Sequence, residues 1–142
     1  MIGIACDQAG VHLKNHIIAH LNANGLEVMD HGTNSTEPTD YPFYAKKVSE
    51  AVLQGEISKG ILICGTGIGI SIAANRHKGI RAALCHDVFS AKACRLHNDA
   101  NILALGARVV GSGLATEILD AFLTTEFSGD EKHLRRVNMI EL

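Results

Sequence analysis

The sequence predicts an α/β fold in which a five-stranded parallel sheet lies between two layers of helices. Three observations support this prediction. Short apolar runs recur along the chain, segments with a helical spacing of apolar residues separate them, and the runs are apolar at consecutive positions. Strands that are apolar on both faces are typical of a covered parallel sheet, whose neighbours need crossover connections. The expected architecture is a three-layer α/β/α sandwich of the Rossmann-like kind.

Five apolar runs are predicted to form the strands of this sheet. They are IGIAC at 2–6, LEVMD at 26–30, GILIC at 60–64, IRAALC at 80–85 and NILALG at 101–106. Apolar residues spaced three or four apart predict helices between them. These stripes are Leu13, Ile17 and Leu21; Ala45, Val48 and Val52; and Leu114, Ile118 and Phe122. The C-terminal EKHLRRVNMIEL predicts a last helix, whose cations are most simply a solvated face.

Glycine and proline mark the element boundaries. Gly25 and Gly55 are placed to end the first two helices, and Pro42 suits a helix N-terminus. The polar stretch GTNSTEPTDYP at 32–42 is long for a βα connection. Such loops lie at the carboxyl edge of the sheet, where open α/β folds bind ligands, so Asp40 and Tyr41 are predicted near a site.

Length and composition indicate one domain, residues 1–142. A chain with 46% hydrophobic residues and no linker can bury a single core. The net charge of −2 and the dispersed cations give no footprint for a nucleic acid or an anionic membrane. No apolar run approaches the ~20 residues that span a bilayer, and Met1 leads directly into a strand-like segment. We expect a soluble, cytoplasmic protein.

The four cysteines show no Cys-x-x-Cys spacing, so reduced thiols are expected. Burial as a small hydrophobe is the usual fate of a free cysteine. Each is therefore presumed structural unless its surroundings indicate chemistry. They are Cys6, Cys64, Cys85 and Cys94.

A glycine loop follows the third predicted strand. Gly65, Gly67 and Gly69 alternate between the strand and a helix, so several backbone N–H groups can converge on an anion near the helix N-terminus. The spacing is G-x-G-x-G, which is neither the dinucleotide fingerprint nor a P-loop. A dinucleotide site, with Asp87 as the ribose-binding acid, is the alternative interpretation.

Cys64 and Thr66 bring reactive groups to this loop. A thiol beside N–H groups and a helix N-terminus is available as a base or nucleophile, and Thr66 adds a hydroxyl to the same turn. The alternative is that Cys64 only packs under the loop, and on these residues alone the two interpretations are balanced.

Ionisable residues follow other predicted strands. Cys6 and Asp7 follow the first strand, and His86 and Asp87 follow the fourth, as expected for an active site at the sheet edge. RLHNDAN at 95–101 is predicted to place His97 and its polar neighbours in the turn before the last strand. The three histidines at helical spacing in the first helix, His12, His16 and His20, permit metal binding, but a solvated flank is favoured.

With these residues in view, the chain resembles the ribose-5-phosphate isomerase B family, which includes allose-6-phosphate and galactose-6-phosphate isomerases. The resemblance covers nearly the whole chain. Its motifs are GIACDQAG at 3–10, TDYP at 39–42, ILICGTGIGISIAAN at 61–75, GIRAAL at 79–84, HNDANILALGARVVG at 97–111 and HLRRV at 133–137.

The resemblance implies an aldose–ketose isomerisation through a cis-enediolate, with no metal and no cofactor. Cys64 would move the proton between C1 and C2, Thr66 would help transfer a proton between O1 and O2, and N–H groups from Gly65 to Gly69 would stabilise the enediolate oxygen. One branch of the family carries a glutamate base at the position of Ile70. Isoleucine cannot act as a base, which leaves Cys64.

The remaining site residues are likewise implied by the resemblance. His97 would assist opening of the furanose ring, with Asp7 near the ring oxygen or hydroxyls and Asn98 on the sugar. Arg108 and Arg136 would bind the phosphate. Tyr41 would stand at the rim. Because the family builds its sites across a dimer interface, we expect a homodimer or a dimer of dimers.

Two departures from the family pattern affect the expected phosphate site. Gln8 stands where a histidine is usual, and Lys132, beside a one-residue insertion, is the best match to a second C-terminal arginine. Lysine offers a point charge where arginine offers a bidentate fork. Ribose 5-phosphate is the expected substrate. A tetrulose 4-phosphate, allose 6-phosphate or galactose 6-phosphate is the nearest alternative.

Three other classes of protein remain open. A metal protein is conceivable, because Cys6, Cys64, Cys85, His86 and His97 are expected near one sheet edge. A non-catalytic phosphosugar-binding domain would need only the glycine loop and the arginines. A thiol redox role has the least support, because no resolving cysteine is near Cys64 in sequence.

Overall fold

The computed structural model describes residues 1–142 and contains five strands and six α-helices. The strands are β1 Ile2–Cys6, β2 Val28–Asp30, β3 Lys59–Cys64, β4 Ala82–Leu84 and β5 Ile102–Gly106. The helices are α1 Val11–Ala23, α2 Tyr41–Leu53, α3 Ile68–Asn75, α4 Val88–Asn98, α5 Ser112–Thr124 and α6 Glu131–Ile140, and a short 3-10 turn covers Gln8–Gly10. No helix is both long enough and apolar enough to cross a membrane.

The five strands form one parallel sheet in the order β2-β1-β3-β5-β4, which confirms the predicted fold. The chain moves outward in opposite directions from β1 and β3, so the carboxyl ends of these two strands flank a topological switch point. Open α/β sheets bind ligands in the crevice at such a point. Cys6 and Cys64 end the two strands there.

The sheet separates two apolar cores, one on each face. Alternate residues of β3 point to opposite sides, so Ile61 and Ile63 pack with α1, α4 and α5, whereas Leu62 and Cys64 pack with α2 and α3. This two-sided burial explains why β3 is apolar at consecutive positions.

The predicted boundaries agree with the structure at the helix ends and differ at the edge strands. Gly25 and Gly55 adopt φ values of 75° and 76° after α1 and α2, and Pro42 lies in the first turn of α2. Strands β2 and β4 are shorter than the predicted 26–30 and 80–85. Each lies at an edge of the sheet and pairs with one neighbour only.

His97 and Asn98 lie in the last turn of α4, not in the predicted turn after it. The helix continues to Asn98 and ends at Asp99, which adopts the left-handed conformation with φ 46°. Aspartate accepts this conformation more readily than most residues, so it can terminate a helix where glycine is more usual.

Candidate active site

The glycine loop occupies the turn between Cys64, the last residue of β3, and Ile68, the first residue of α3. Gly67 has φ 76°, and a Cβ atom there would lie 2.5 Å from Cδ1 of Leu84 and 2.8 Å from the carbonyl carbon of Leu105. Backbone conformation and close packing therefore both require glycine at this position.

Cys64 lies beneath the loop, with 5% of its surface exposed. Its Sγ atom accepts a hydrogen bond from the N–H of Gly67 at 3.1 Å. The exposed Thr66 accepts one from the N–H of Ile68 through Oγ1 at 3.2 Å. The thiol and the hydroxyl thus lie together at the N-terminus of α3.

Four other N–H groups of this turn donate to no acceptor in the chain. They belong to Gly65, Thr66, Gly69 and Ile70. Free N–H donors beside a helix N-terminus form a site that suits a negatively charged oxygen. The loop therefore combines a thiol, a hydroxyl and unused N–H donors.

Asp7 brings a carboxylate to the end of the neighbouring strand. Its N–H donates to the carbonyl of Ile63 at 3.2 Å, and its Oδ1 accepts from the N–H of Ala9 at 2.9 Å. With 7% of its surface exposed, Asp7 is held by the 3-10 turn beside the end of β3.

Gln8 and Tyr41 connect the long loop to the same region. Oε1 of Gln8 accepts from the N–H of Thr39 at 3.1 Å. A Cβ atom at Gly69 would lie 2.6 Å from Cζ and 2.8 Å from Oη of Tyr41, so the phenol ring lies against the glycine loop. Tyr41 is 38% exposed and stands at the rim.

Arg108 places a cation on the other side of the loop. Its N–H donates to the carbonyl of Gly65 at 2.9 Å, and its Nη1 lies 3.2 Å from the position that a Cβ of Gly65 would take. The exposed guanidinium makes no ion pair within the chain and is available to an anionic group.

The structure brings nine of the candidate site residues together at the carboxyl edge of the sheet. We call them the glycine-loop half: Asp7, Gln8, Tyr41, Cys64, Gly65, Thr66, Gly67, Gly69 and Arg108.

The four remaining candidates lie on two helices, His97 and Asn98 on α4 and Lys132 and Arg136 on α6. Together with His133 of α6, we call them the helix half. The rings of His97 and His133 are 4.6 Å apart between centroids, and His133 Nδ1 is 2.8 Å from Oγ of Ser128. Burial of the ring, helped by His97, Lys132 and Arg136, holds the pKa of His133 below its ordinary value. Lys132 and Arg136 make no ion pair within the chain, so the cations are uncompensated.

The two halves lie at opposite ends of the strands, the glycine-loop half at the carboxyl ends and the helix half near the amino ends. Asn101, just after α4, accepts a hydrogen bond from the N–H of Gly60 near the start of β3, whereas Cys64 ends that strand. Four strand steps of about 3.3 Å separate Gly60 from Cys64, roughly 13 Å. The expectation that His97 approaches the same end of the sheet as Cys64 is therefore wrong within one chain. Helix α4 starts at the carboxyl ends of the strands, and its last turn, which carries His97, lies at their amino ends.

The other thiols and histidines lack the surroundings of Cys64. Burial raises the pKa of Cys6 to about 12. A hydrogen bond with Cys94 and burial raise the pKa of Cys85, whose Sγ is 4.0 Å from that of Cys94. His20 bonds Asp120, and His12 and His16 are exposed. No three His, Cys, Asp or Glu side chains approach closely enough to hold a metal ion.

Sequence reasoning gave no individual role to His133. Its place in HLRRV was noted, but its ring contact with His97 joins two helices that are far apart in sequence. A histidine among cations on the last helix was the only available signal.

The fold and the glycine-loop half define an α/β protein with a thiol and free N–H donors at the switch point of its sheet. A family model described as Ribose/Galactose Isomerase matches residues 2–140. The chain belongs to the ribose/galactose isomerase family.

Individual relatives agree with this assignment. The chain is 53% identical over 139 residues to ribose-5-phosphate isomerase B of Escherichia coli, covering 98% of this chain and 93% of the relative. It is 47% identical over 129 residues to D-erythrulose-4-phosphate isomerase of Pectobacterium atrosepticum, covering 90% and 85%. The solved structure of Clostridium thermocellum ribose-5-phosphate isomerase B superposes with a TM-score of 0.97 at 53% identity, covering 99% and 94%. These findings confirm the predicted family and the predicted class of enzyme, a sugar phosphate isomerase.

Proposed function

We propose that this isomerase interconverts ribose 5-phosphate and ribulose 5-phosphate through a cis-enediolate, without a cofactor. The observation that carries the proposal is the position of Cys64 beneath a turn with four unused N–H donors and the hydroxyl of Thr66. The names of the Escherichia coli and Clostridium thermocellum relatives, each 53% identical, support the substrate.

In the forward direction Cys64, as the thiolate, takes the proton from C2 of the open-chain aldose. The C–H electrons form the C1=C2 double bond, and the carbonyl electrons move onto O1. Thr66 then passes the O2 proton to O1. The Cys64 thiol returns its proton to C1, and the C2 carbonyl forms. The proton count is unchanged over the cycle, so no oxidant or reductant is needed.

The unused N–H groups of the loop stabilise the charge that develops on oxygen in this step. Removing one preorganised donor of this kind typically costs about 10²–10³-fold in kcat. Asp7 and Gln8 lie beside the crevice to contact sugar hydroxyls, and Arg108 supplies a charge for the phosphate.

The helix half is supplied by a second copy of the chain, and the enzyme is at least a homodimer, with a dimer of dimers as the alternative. His97, for ring opening, and Asn98, Lys132 and Arg136, for the sugar and phosphate, are too far from Cys64 in their own chain. Exposed apolar side chains on the helices of both halves provide a contact surface. They are Ile68 and Ile72 on α3 and Leu134 and Met139 on α6.

A tetrulose 4-phosphate is the second candidate substrate, because the Pectobacterium atrosepticum relative carries the name of an erythrulose 4-phosphate isomerase. Gln8 and Lys132 are the residues through which this chain would favour it. Oε1 of Gln8 accepts from the N–H of Thr39, and the amide nitrogen of Gln8 donates to no acceptor in the chain, so it is available to a ligand. A cytoplasmic location is also part of the proposal, supported by four free, buried cysteines.

The test compares kcat/KM for ribose 5-phosphate, allose 6-phosphate, galactose 6-phosphate and erythrulose 4-phosphate. The proposal expects ribose 5-phosphate to lead by more than about tenfold, roughly 1.4 kcal/mol of transition-state preference. A higher kcat/KM for another of these sugar phosphates would contradict ribose 5-phosphate and identify that sugar as the preferred substrate. Binding without turnover of any of the four would favour a non-catalytic phosphosugar-binding domain.

A further inference from the structure

We infer that Lys14 is a positioning residue of the active site: its buried ammonium group holds residues 31–40, and this segment holds Gln8 and Tyr41 beside the glycine loop. We call residues 31–40 the rim loop. The inference rests on the proposed function only for its kinetic consequence.

Lys14 is fully buried, which is rare for lysine unless the charge is matched. Its Nζ atom donates to Oδ1 and Oδ2 of Asp30 at 2.7 and 2.9 Å, and to Oδ1 of Asn34 at 2.7 Å. Because an ammonium group only donates, the Asn34 atom that it meets is the amide oxygen. All three hydrogen-bond donors of the ammonium group are therefore satisfied, by the last residue of β2 and by one residue of the rim loop.

The middle of the rim loop, residues 34–38, has few other contacts that fix it, whereas both of its ends are bonded to the rest of the chain. At its start, the carbonyl of Gly32 accepts from Cys6 at 2.7 Å, and the N–H of Thr33 donates to the carbonyl of Cys6 at 2.8 Å. Near its end, Thr39 is bonded to Gln8 and Tyr44. Between these points, Asn34 makes the only hydrogen bond to the rest of the chain, and the bonds of Ser35 and Glu37 stay within the loop.

The rim loop leads directly into the active site. It ends at Asp40, and Tyr41 follows with its ring against Gly69. Thr39 also holds the side chain of Gln8, the residue after Asp7. Release of Asn34 would leave 34–38 unanchored, and ordering this segment would then oppose substrate binding. The consequence falls on KM more than on kcat, because Cys64 and Thr66 belong to the glycine loop.

Asn34→Ala is the test variant, since it removes the loop contact and leaves the Lys14–Asp30 pair intact. Asn34 is exposed, so little packing is lost. Thr36→Ala is the matched control, because Thr36 is an exposed residue of the same loop and no hydrogen bond involves its side chain. Lys14→Met is a second variant, in which the ammonium group itself is absent.

The measurements are amide hydrogen exchange across the rim loop, KM and kcat for ribose 5-phosphate, and Tm. For Asn34→Ala we expect exchange at Thr39 to rise by about tenfold or more. We expect KM to rise about fivefold with kcat within about twofold, and Tm close to that of the wild type. Lys14→Met, where it folds, should show the same KM rise together with a lower Tm.

The inference is overturned if exchange and KM in Asn34→Ala match those of Thr36→Ala. A change in Tm without a change in either readout would also overturn it, since it would show a purely structural role. If the wild type does not act on ribose 5-phosphate, the proposed substrate fails, and the exchange data alone decide whether Lys14 holds the loop.

Discussion

The Sγ atom of Cys64 and the backbone nitrogen of Gly67 are joined by a hydrogen bond of 3.1 Å, across the turn that ends β3 and begins α3. The bond holds the thiol under the loop, beside the unused donors of Gly65, Thr66, Gly69 and Ile70. This relationship places the proposed base and the charge-stabilising groups of the reaction on a single rigid turn.

Replacement of Cys64 by alanine should abolish isomerisation of an open-chain substrate and leave phosphate binding nearly intact. We expect kcat to fall by at least about 10³-fold, since the variant lacks the proposed acceptor of the C2 proton. Cys85→Ala is the matched control, a buried cysteine outside the site that should keep near wild-type activity. Substantial residual kcat in Cys64→Ala would mean that another residue is the base.

His97→Asn should impair a cyclic sugar phosphate more than one that cannot close a ring. Asparagine keeps a polar side chain and removes the imidazole that is proposed to move the ring proton. We expect kcat/KM for ribose 5-phosphate to fall by about 10²-fold or more, against less than about fivefold for erythrulose 4-phosphate. Equal losses on both substrates would refute the ring-opening role.

Gly67→Ala should destabilise the fold and remove activity together. The residue has φ 76°, and a Cβ atom would overlap Leu84 and the backbone of Leu105. We expect a loss of roughly 2 kcal/mol or more in the free energy of unfolding. The control is Gly113→Ala in α5, where no atom lies within 4 Å of the added Cβ. In urea unfolding, the free energy of unfolding of Gly113→Ala should equal that of the wild type or exceed it by at most about 1 kcal/mol.

The fold should lose stability as the pH falls below about 6.5, the ordinary pKa of histidine. Burial, and then Lys47, lowers the pKa of His31, and burial, and then His97, lowers that of His133. Below pH 6.5 these two histidines are therefore protonated more readily in the unfolded chain than in the folded chain. The free energy of unfolding falls as the pH drops from 6.5 through their folded-state pKa values.

Urea unfolding at about pH 7.5 and about pH 5.5, at one protein concentration, measures this effect. A His31→Gln, His133→Gln double variant should show a smaller difference in stability between the two pH values than the wild type. An equal difference in both proteins would contradict the assignment to these histidines.

Glu141 is predicted to hold α6 in position. Its Oε1 lies 2.6 Å from Nη1 of Arg81, and its Oε2 accepts from the N–H of Gly79 at 2.9 Å. Because α6 packs chiefly against α4, loss of this anchor should loosen the helix that carries Lys132 and Arg136. Glu141→Ala should raise KM for ribose 5-phosphate about threefold to tenfold, at a cost of about 1 kcal/mol in stability.

Glu117→Ala provides the control for this change, because Glu117 is an exposed residue of α5 without an ion pair. It should leave KM and stability unchanged. A KM in Glu141→Ala equal to that of the control would show that the position of α6 does not depend on this contact.

Local signals explain why much of the fold was predictable. Apolar runs, helical stripes and the positions of Gly25, Gly55 and Pro42 each act over a few residues, and they locate the five strands and helices α1, α2 and α5, although β2 and β4 are shorter than predicted. The glycine loop was also predictable, since its composition and its place between β3 and α3 are local properties.

The placement of His97 and the burial of Lys14 depend on tertiary structure. His97 resembles the other site residues in type, yet α4 carries it to the opposite edge from Cys64. From the sequence alone, Lys14 would be predicted to be a solvated residue of an amphipathic helix. Its partners Asp30 and Asn34 are 16 and 20 residues away, and only the folded chain brings them together.

The most direct test of the shared site is complementation between two inactive variants. Cys64→Ala and His97→Asn proteins are unfolded together, refolded, and assayed with ribose 5-phosphate, with mixed oligomers verified by native mass spectrometry. If Cys64 of one chain works with His97 of its partner, half of the dimers are mixed and each has one intact site. The mixture should then recover about a quarter of wild-type activity. Activity no greater than the sum of the two separate variants, in verified mixed dimers, would contradict the shared site.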